Sequence, residues 1–275
     1  MLKDFSLGQF FPGNSILHRL DARFKIILML VFVILVFFAK NLVSFSYLLL
    51  LVFLLIFLSR ISFKVILQGL KPIVWICLFT AAINLFWTSG DNYLFGIGFI
   101  RVYEEGVWRA VYLMIRIIAL VMGTSVLLTY TTSPMDLTDA LESLLSPLKK
   151  IKVPVHEFAM MMSLALRFVP TLVEETEKII NAQKARGVDF ETGSLISRAK
   201  ALIPILIPLF ISSFSRATDL AVAMECRCYV GGEGRTRMKV MKISLFDVLV
   251  LFVFVLLFAG IPLMNFIPLS FGGMI

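Results

Sequence analysis

The feature that most constrains this chain is a series of long apolar runs separated by short charged segments. A helix that crosses the hydrocarbon core of a bilayer needs about 20 mostly apolar residues, and a somewhat shorter run gains length from its flanks. Five such runs follow one another, at Ile26–Ala39, Leu42–Leu58, Ile73–Trp87, Val107–Thr129 and Phe246–Leu263. We therefore predict an all-α polytopic membrane protein with about five transmembrane helices.

The connections between the runs are short. Lys40 and Asn41 separate the first two runs, which predicts a helical hairpin that turns at these residues. Pro72 is suited to the first turn of the third helix, because an N–H at that position would have no acceptor within the helix and proline lacks this N–H. After this helix, Gly90, Gly96 and Gly98 predict a loop.

Composition supports a membrane environment. Hydrophobic residues make up 59% of the 275 residues and charged residues 16%, whereas a soluble domain carries roughly a quarter charged residues. The net charge of +8 lies mainly in the segments between apolar runs, so we attribute it to loops on one side of a membrane and not to nucleic-acid binding. The three cysteines, Cys77, Cys226 and Cys228, do not suggest a disulfide framework, and we expect free thiols.

Hydrophobic periodicity divides the chain into three regions. Residues 1–129 hold an N-terminal cytoplasmic segment and four predicted spans, and residues 243–275 hold the final span and a tail. Residues 130–242 carry most of the charges, and their apolar residues recur at helical spacing, which predicts long amphipathic cytoplasmic helices. A shorter amphipathic piece, Met135–Leu148, comes first, with Ser133 as its N-cap. The stretch Leu202–Ile211 is apolar nearly all round, so protein or lipid must cover it.

Lysine and arginine predict the orientation of the chain. Cytoplasmic loops carry an excess of these residues. They are frequent before the first run, between the second and third runs, and from Lys149 to Lys242, whereas the other side has only Lys40 and Arg101. The N-terminus and residues 130–242 are therefore expected in the cytoplasm. With five spans the C-terminus is external, and we expect a multi-pass protein of the bacterial cell (inner) membrane.

Residue types that carry enzymatic chemistry are sparse. The two histidines, His18 and His156, are far apart and neither has a second metal ligand at a useful spacing. No phosphate-binding glycine loop occurs, so any ATP must bind another subunit. Arg116 lies near the middle of the fourth run, where it either faces the bundle interior or extends towards the outer interface. We predict a non-enzymatic chain without a cofactor or a metal of its own.

Two arginines follow the long amphipathic stretches at equivalent positions. One stretch ends in Ala185-Arg186-Gly187 and the other in Cys226-Arg227-Cys228. Arginine near a helix C-terminus and glycine after it are both common, so one such ending means little. Two on the same side of a membrane are more specific, because an exposed arginine between small residues can enter an acidic groove of a partner and pair with carboxylates.

With these motifs, the chain resembles the transmembrane T component of energy-coupling factor transporters, the group that includes the CbiQ-like proteins. The resemblance covers nearly the whole chain and is carried by Leu17–Lys25, Ala185–Gly187 and Ala223–Tyr229. Gly234–Arg237 is similar to the branch that serves several vitamin transporters. One residue departs from the family pattern: Cys228 stands where glycine usually follows the second arginine. A Cβ makes a left-handed helix cap less favourable by about 1 kcal/mol.

The resemblance implies a function and a set of partners. A T component joins two cytoplasmic ATPase subunits to a small substrate-binding membrane subunit, which implies ATP-driven uptake of vitamins or metal ions, with ATP and Mg used by the ATPases. Arg186 and Arg227 would each dock into one ATPase. The apolar faces of the helices would carry the substrate-binding subunit, or pack the two helices together, through Met160, Met161, Met162, Ala165, Phe168, Leu172, Leu206, Phe210 and Phe214.

A self-contained secondary transporter or channel is the alternative reading. Such proteins usually show internal repeats and polar sites near the middle of the membrane. The sequence has no evident repeat, and only Arg116 and Asn84 are obvious polar residues within the runs.

Overall fold

The protein is described here by a computed structural model that covers residues 10–87, 93–97, 100–190, 194–231 and 243–266. The predicted all-α class is confirmed, and the described part adds only one small hairpin of two short strands. The chain divides into two compact units. Among the described residues, those within 10–133 and 243–266 form the bundle unit, and those within 134–231 form the hairpin unit.

The bundle unit is built from the apolar runs. Its helices are α1 (Ile16–Arg19), α2 (Ala22–Val36), α3 (Leu42–Ser59), α4 (Phe63–Trp87), α5 (Glu104–Thr124) and α9 (Leu245–Leu263). A π-helical turn, Ser125–Thr129, extends α5, and a 3₁₀ turn, Met264–Phe266, extends α9. Two antiparallel strands, β1 (Tyr93–Ile97) and β2 (Ile100–Tyr103), lie between α4 and α5.

Polar side chains set the helix boundaries in this unit. Asp21 caps α2 by accepting a hydrogen bond from the Arg23 backbone N–H at 2.9 Å. Ser244 and Asp247 form a reciprocal capping box at the start of α9, which satisfies backbone N–H groups that have no partner within the helix. At the C-terminal end of α3, Arg60 adopts a left-handed conformation with φ 57° and ends the helix.

The core of the bundle unit lies where α2, α5 and α9 meet. The Phe32 ring of α2 packs against the Phe258 ring of α9 with centroids 5.3 Å apart, and both side chains are fully buried. Gly123 of α5 allows the close approach of α2, because a Cβ there would lie 2.3 Å from the Phe32 ring. Phe45 of α3 stacks on Tyr112 of α5 at 4.9 Å and extends this core.

Four of the five predicted spans form helices that are long and apolar enough to cross a membrane. By length and composition, the described residues contain five such helices: Leu42–Ser59, Phe63–Leu85, Glu104–Thr129, Ile196–Cys226 and Leu245–Phe266. The first predicted run instead forms α2, whose 15 residues extend about 22 Å and fall short of a hydrocarbon core of about 30 Å. The fifth qualifying helix comes from the region that we predicted to be cytoplasmic.

Two local predictions between the runs were wrong. Pro72 lies inside α4, because the helix begins nine residues earlier, at Phe63. The apolar residues before Pro72 continue the helix, and only the one hydrogen bond that a Pro72 N–H would donate is missing. The predicted loop contains the β1–β2 hairpin, while Gly90 and Gly98 lie outside the described residues. Gly234–Arg237 and the tail from residue 267 also lie outside them.

The hairpin unit contains the amphipathic helices. Its elements are α6 (Pro134–Leu144), a 3₁₀ turn (Ser146–Ile151), α7 (Val155–Ala185) and α8 (Leu195–Cys226). As predicted, α6 starts directly after Ser133. The Glu142 carboxylate of α6 lies 3.0 Å from the His156 ring of α7 and joins the two helices.

Helices α7 and α8 pack against each other in antiparallel directions. Gln183, near the end of α7, reaches Pro204, near the start of α8. In the middle of the seam, Glu175 of α7 meets Arg216 of α8. Residues near the start of α7 line a cavity together with residues near the end of α8. The C-termini of α7 and α8 therefore lie at opposite ends of the helix pair.

Candidate coupling site

The first predicted motif forms a complete cap at the end of α7. Arg186 is the last residue of near-helical conformation, and Gly187 follows in the left-handed region with φ 86°. The Gly187 N–H donates to the Lys184 carbonyl at 3.0 Å, and the Val188 N–H donates to the Gln183 carbonyl at 3.1 Å. These two bonds define a Schellman motif, which satisfies helix carbonyls that would otherwise be unpaired.

The second motif forms the same cap at the end of α8. Arg227 takes the position of Arg186, and Cys228 takes the position of Gly187, with φ 55°. The Cys228 N–H donates to the Glu225 carbonyl at 2.9 Å, and the Tyr229 N–H donates to the Met224 carbonyl at 3.1 Å. The cysteine that departs from the family pattern therefore adopts the left-handed conformation that favours glycine.

The shared cap gives both arginines the same position relative to the helix that presents them. All six motif residues are exposed: Ala185, Arg186, Gly187, Cys226, Arg227 and Cys228. The helices have 31 and 32 residues, so each is about 45 Å long. Because the helices are antiparallel, the two arginines lie on the order of 40 Å apart, one at each end of the pair.

An ion pair holds the middle of the α7–α8 seam. The Arg216 guanidinium donates to the Glu175 carboxylate at 2.7 Å, and both side chains are partly exposed. The pKa of Glu175 lies below its ordinary value, chiefly because the Ser212 side chain donates a hydrogen bond to the carboxylate. Burial opposes this shift, while the hydrogen bond and charge of Arg216 and the charge of Lys178 add to it. Glu175 is therefore ionised near neutral pH and paired across the seam.

The residues predicted to bind a substrate subunit divide into two groups. Ala165, Phe168 and Leu172 line a cavity of about 420 Å³ along the seam, together with residues of α8. Met160 lines a second cavity, of about 460 Å³, that also contains Arg227. The remaining five are exposed: Met161, Met162, Leu206, Phe210 and Phe214. The first four residues thus line cavities along the seam, and the remaining five present an outward apolar surface, which we call the outward face.

The outward face of α8 is concave at its centre. Leu206 and Phe210, with four neighbours, line a depression of about 530 Å³. The Phe210 and Phe214 rings pack at 4.6 Å between centroids, and each side chain is about 60% exposed. Apolar area of this extent requires a cover, which can be a partner protein or lipid.

Several residues with well-defined roles were missed by sequence reasoning. Lys25 is 2% exposed, and its ammonium group donates to the Thr131 carbonyl at 2.8 Å. It thereby caps the end of the π-helical turn that extends α5. Asp247, also buried, accepts from the Asp21 backbone N–H at 3.3 Å and joins α9 to the start of α2. Leu17–Lys25 was recognised only as a family segment, and neither contact has a local sequence signal.

Polar side chains also fix the turn between α2 and α3. Arg116 donates to the Ala39 carbonyl at 2.8 Å, and its guanidinium lies 5.4 Å from the centroid of the Phe45 ring, so it contacts groups of the bundle. Asn265 accepts from the Lys40 backbone N–H at 3.1 Å and donates to the Phe38 carbonyl at 2.6 Å. These contacts satisfy backbone groups at the end of a short helix.

The two histidines contact polar groups of the protein. The His18 ring lies 2.6 Å from the Ser15 hydroxyl and 2.8 Å from the Phe11 carbonyl, and His156 lies beside Glu142. Within the described part of the chain, no three His, Cys, Asp or Glu side chains lie close enough together to hold a metal ion.

Comparison with known proteins places the chain in a family. The model of the CbiQ family, described as cobalt transport protein, matches residues 13–239. A relative from Ruminiclostridium cellulolyticum, named energy-coupling factor transporter transmembrane protein EcfT, is 50% identical over 97% of this chain and 99% of its own length. Proteins of the same name from Clostridium kluyveri and Bacillus subtilis are 51% and 48% identical over 89% and 86% of this chain, and over 90% and 89% of their own lengths.

Proposed function

This chain belongs to the CbiQ family, within the group of energy-coupling factor transporter transmembrane proteins, and from this membership we propose that it couples two ATPases to a substrate-binding membrane subunit. In this function it is a non-enzymatic subunit. ATP and Mg²⁺ bind to the cytoplasmic ATPases, and the solute, a vitamin or a metal ion, binds to the small membrane subunit.

The observation that carries this proposal is the pair of identical helix caps at opposite ends of α7 and α8. Each cap presents one exposed arginine, Arg186 or Arg227, on a helix end. A guanidinium group forms two parallel hydrogen bonds with a carboxylate, which fixes orientation as well as affinity. A separation on the order of 40 Å suits one arginine for each of two ATPase subunits better than two contacts with the same subunit.

The helices between these ends provide a way to transmit movement. If the two ATPases close on ATP, their movement acts on both arginine ends of the helix pair. Helices α7 and α8 move with these ends, because the Glu175–Arg216 ion pair and the apolar seam hold them together. The outward face, which includes Met161 and Phe210, would then carry the substrate-binding subunit and tilt it in the membrane. Methionine-rich surfaces adapt to more than one arrangement of a partner.

Alanine substitution of the two arginines tests this function. The double variant Arg186→Ala, Arg227→Ala should insert normally but lose the ATPases, because losing a charged pair at an interface costs about 2–5 kcal/mol on each side. Each single variant should be milder, because the other arginine still holds the ATPase pair. The measurements are co-purification with the ATPases from native membranes and solute uptake. Normal uptake by the double variant in a stable complex would show that neither arginine couples.

A purification of the unaltered chain addresses the function itself. We expect two ATPase subunits and a small membrane subunit to co-purify, and the isolated chain to hydrolyse no ATP. Solute transport by the chain alone in vesicles, with no ATPase present, would instead identify a self-contained transporter.

A further inference from the structure

We propose that Gln183 is a positioning residue that connects the first coupling arginine to the proline-interrupted part of α8. The inference rests on the proposed coupling function and extends it to a residue outside both arginine motifs. It is carried by one hydrogen bond across the seam and by the positions of two prolines.

The prolines leave backbone carbonyls of α8 without their helical donors. In an α-helix, each N–H donates to the carbonyl four residues earlier. Pro208 has no N–H, so the Pro204 carbonyl receives no bond from within the helix. Pro204 lacks an N–H as well, so two of the bonds that stiffen this part of α8 are missing within five residues.

Gln183 of α7 supplies a donor to this carbonyl. Its Nε2 atom donates to the Pro204 carbonyl oxygen at 3.5 Å, and the Gln183 side chain is half-buried at the seam. The distance is long for a hydrogen bond, so the contact is a weak one that can break and re-form when the helices move.

The backbone of Gln183 takes part in the cap that presents Arg186. The Gln183 carbonyl accepts from the Arg186 N–H at 3.1 Å and from the Val188 N–H at 3.1 Å. The same residue thus holds the arginine end of α7 through its backbone and the weakened turn of α8 through its side chain. A displacement of Arg186 therefore acts on the backbone of the same residue whose side chain contacts Pro204.

Pro204 lies close in sequence to the outward face of α8, so its contact with Gln183 can affect that face. Leu206 and Phe210, which lie on the outward face, are two and six residues after Pro204 in α8. The ion pair of Glu175 with Arg216 lies about two turns from Gln183 along α7 and about three turns from Pro204 along α8. It holds the seam on the far side of the prolines, so it does not link Arg186 to the Pro204 turn. Gln183 is thus placed to orient the outward face relative to the docked ATPase.

The test is the amount of solute transported per ATP hydrolysed by the full complex in vesicles. Gln183→Met keeps the length of the side chain and removes the donor. We expect ATPase association and ATP hydrolysis to be retained and transport per ATP to fall about twofold, the factor that corresponds to about 0.5 kcal/mol, the low end for one hydrogen bond. Gln183→Lys, which restores a donor of sufficient reach, should recover part of the loss. The control is Asn181→Leu, which removes an exposed amide from the same end of α7 and should leave the ratio unchanged.

A second substitution separates positioning from carbonyl satisfaction. Pro208→Ala provides an N–H that can bond to the Pro204 carbonyl within α8, without any link to α7. The double variant Gln183→Met, Pro208→Ala should therefore keep the reduced transport per ATP of Gln183→Met. Full recovery in the double variant, or an unchanged ratio in Gln183→Met, would overturn the inference. A wild-type chain that does not bind the ATPases would instead refute the proposed function on which the inference rests.

Discussion

Cys228 adopts a backbone conformation that its own side chain disfavours. At φ 55° a Cβ atom approaches the following carbonyl, and only glycine avoids this cost. The cap bonds of Cys228 and Tyr229 are nevertheless of the same type as those of Gly187 and Val188. The cap at the second arginine is therefore formed at a local energetic cost that the first cap does not carry.

The first prediction concerns this residue. Cys228→Gly should stabilise the end of α8 by about 0.5–1 kcal/mol, because it removes the unfavourable Cβ. Cys228→Val should weaken the cap and the affinity for the ATPase at this end, since a β-branched residue is a genuine outlier at positive φ. Unfolding temperature in detergent and ATPase affinity measure the two effects. Cys226→Val, at a helical position two residues earlier, is the matched control and should be nearly neutral. Equal ATPase affinity of the two valine variants would contradict this account.

At the residue scale, the sequence predicted what local spacing can encode. The positions of Arg186 and Arg227 after helical stretches, and the start of α6 directly after Ser133, could be recognised because helix ends have local signatures. The contact of Lys25 with Thr131 could not be predicted, because it joins residues 106 positions apart and the acceptor is a backbone carbonyl. Every residue has a backbone carbonyl, so the residue type does not reveal which one accepts a hydrogen bond.

At the scale of elements, the close contact of α2 with α5 depends on one glycine. A Cβ at Gly123 would lie 2.3 Å from the Phe32 ring, which is fully buried. Gly123→Ala should therefore destabilise the bundle unit by about 1–3 kcal/mol, the usual cost of overpacking. The measurement is the unfolding temperature in detergent. Adding Phe32→Leu should relieve part of the loss, whereas Thr124→Ala, one residue along, should have little effect. An unchanged unfolding temperature in Gly123→Ala would contradict this packing.

Helices α7 and α8 show which structural features hydrophobic periodicity can predict. Their amphipathic character and their ends were predicted, but the division of their apolar residues between the seam and the outward face was not. A hydrophobic stripe shows that a helix face is covered and does not show by what. Phe168 lines the seam and Met161 is 54% exposed, although both belong to the same predicted stripe.

Introducing a charge distinguishes the two groups. Met161→Glu and Phe210→Glu on the outward face should each reduce association of the substrate-binding subunit while the ATPases stay bound, because an unpaired carboxylate is costly in an apolar interface. Phe168→Glu should instead disturb the α7–α8 seam and lower overall stability. Separate co-purification of the two kinds of partner measures the outcome, with Met161→Leu as the control. If the outward substitutions release the ATPases together with the substrate subunit, the outward face has no separate role.

At the scale of the whole molecule, two criteria disagree on whether α8 crosses the membrane: its length and apolar composition, and the positive charge of its flanks. Its residues Ile196–Cys226 are long and apolar enough to cross a membrane. A spanning α8 would, however, place its two flanks on opposite sides. The flanks are both basic, with Lys184 and Arg186 on one side and Arg235, Arg237, Lys239 and Lys242 on the other. The distribution of positive charge therefore favours a helix with both ends in the cytoplasm.

The packing of α8 supports the same orientation. Along the seam it pairs with α7, which carries Glu174, Glu175, Glu177 and Lys178 and is not apolar enough to cross a membrane by the same measure. The Arg216–Glu175 ion pair lies in the middle of this seam, where a spanning helix would place it within the hydrocarbon. A charged group at that depth costs at least about 2.5 kcal/mol. An α8 that lies along the membrane surface avoids this cost and leaves its apolar face free for a partner.

The last prediction tests this orientation directly. Single cysteines placed at Asp189 and Val230, in a background with the native cysteines replaced by alanine or serine, should both react with a membrane-impermeant thiol reagent only when the cytoplasmic side is exposed. The control is a cysteine at Lys40, in the turn between α2 and α3, which should react only from the external side. Inverted and right-side-out vesicles provide the two accessibilities. Labelling of Asp189 and Val230 from opposite sides would show that α8 spans the membrane. In that case Arg186 and Arg227 would lie on different sides, and no pair of cytoplasmic ATPases could engage both.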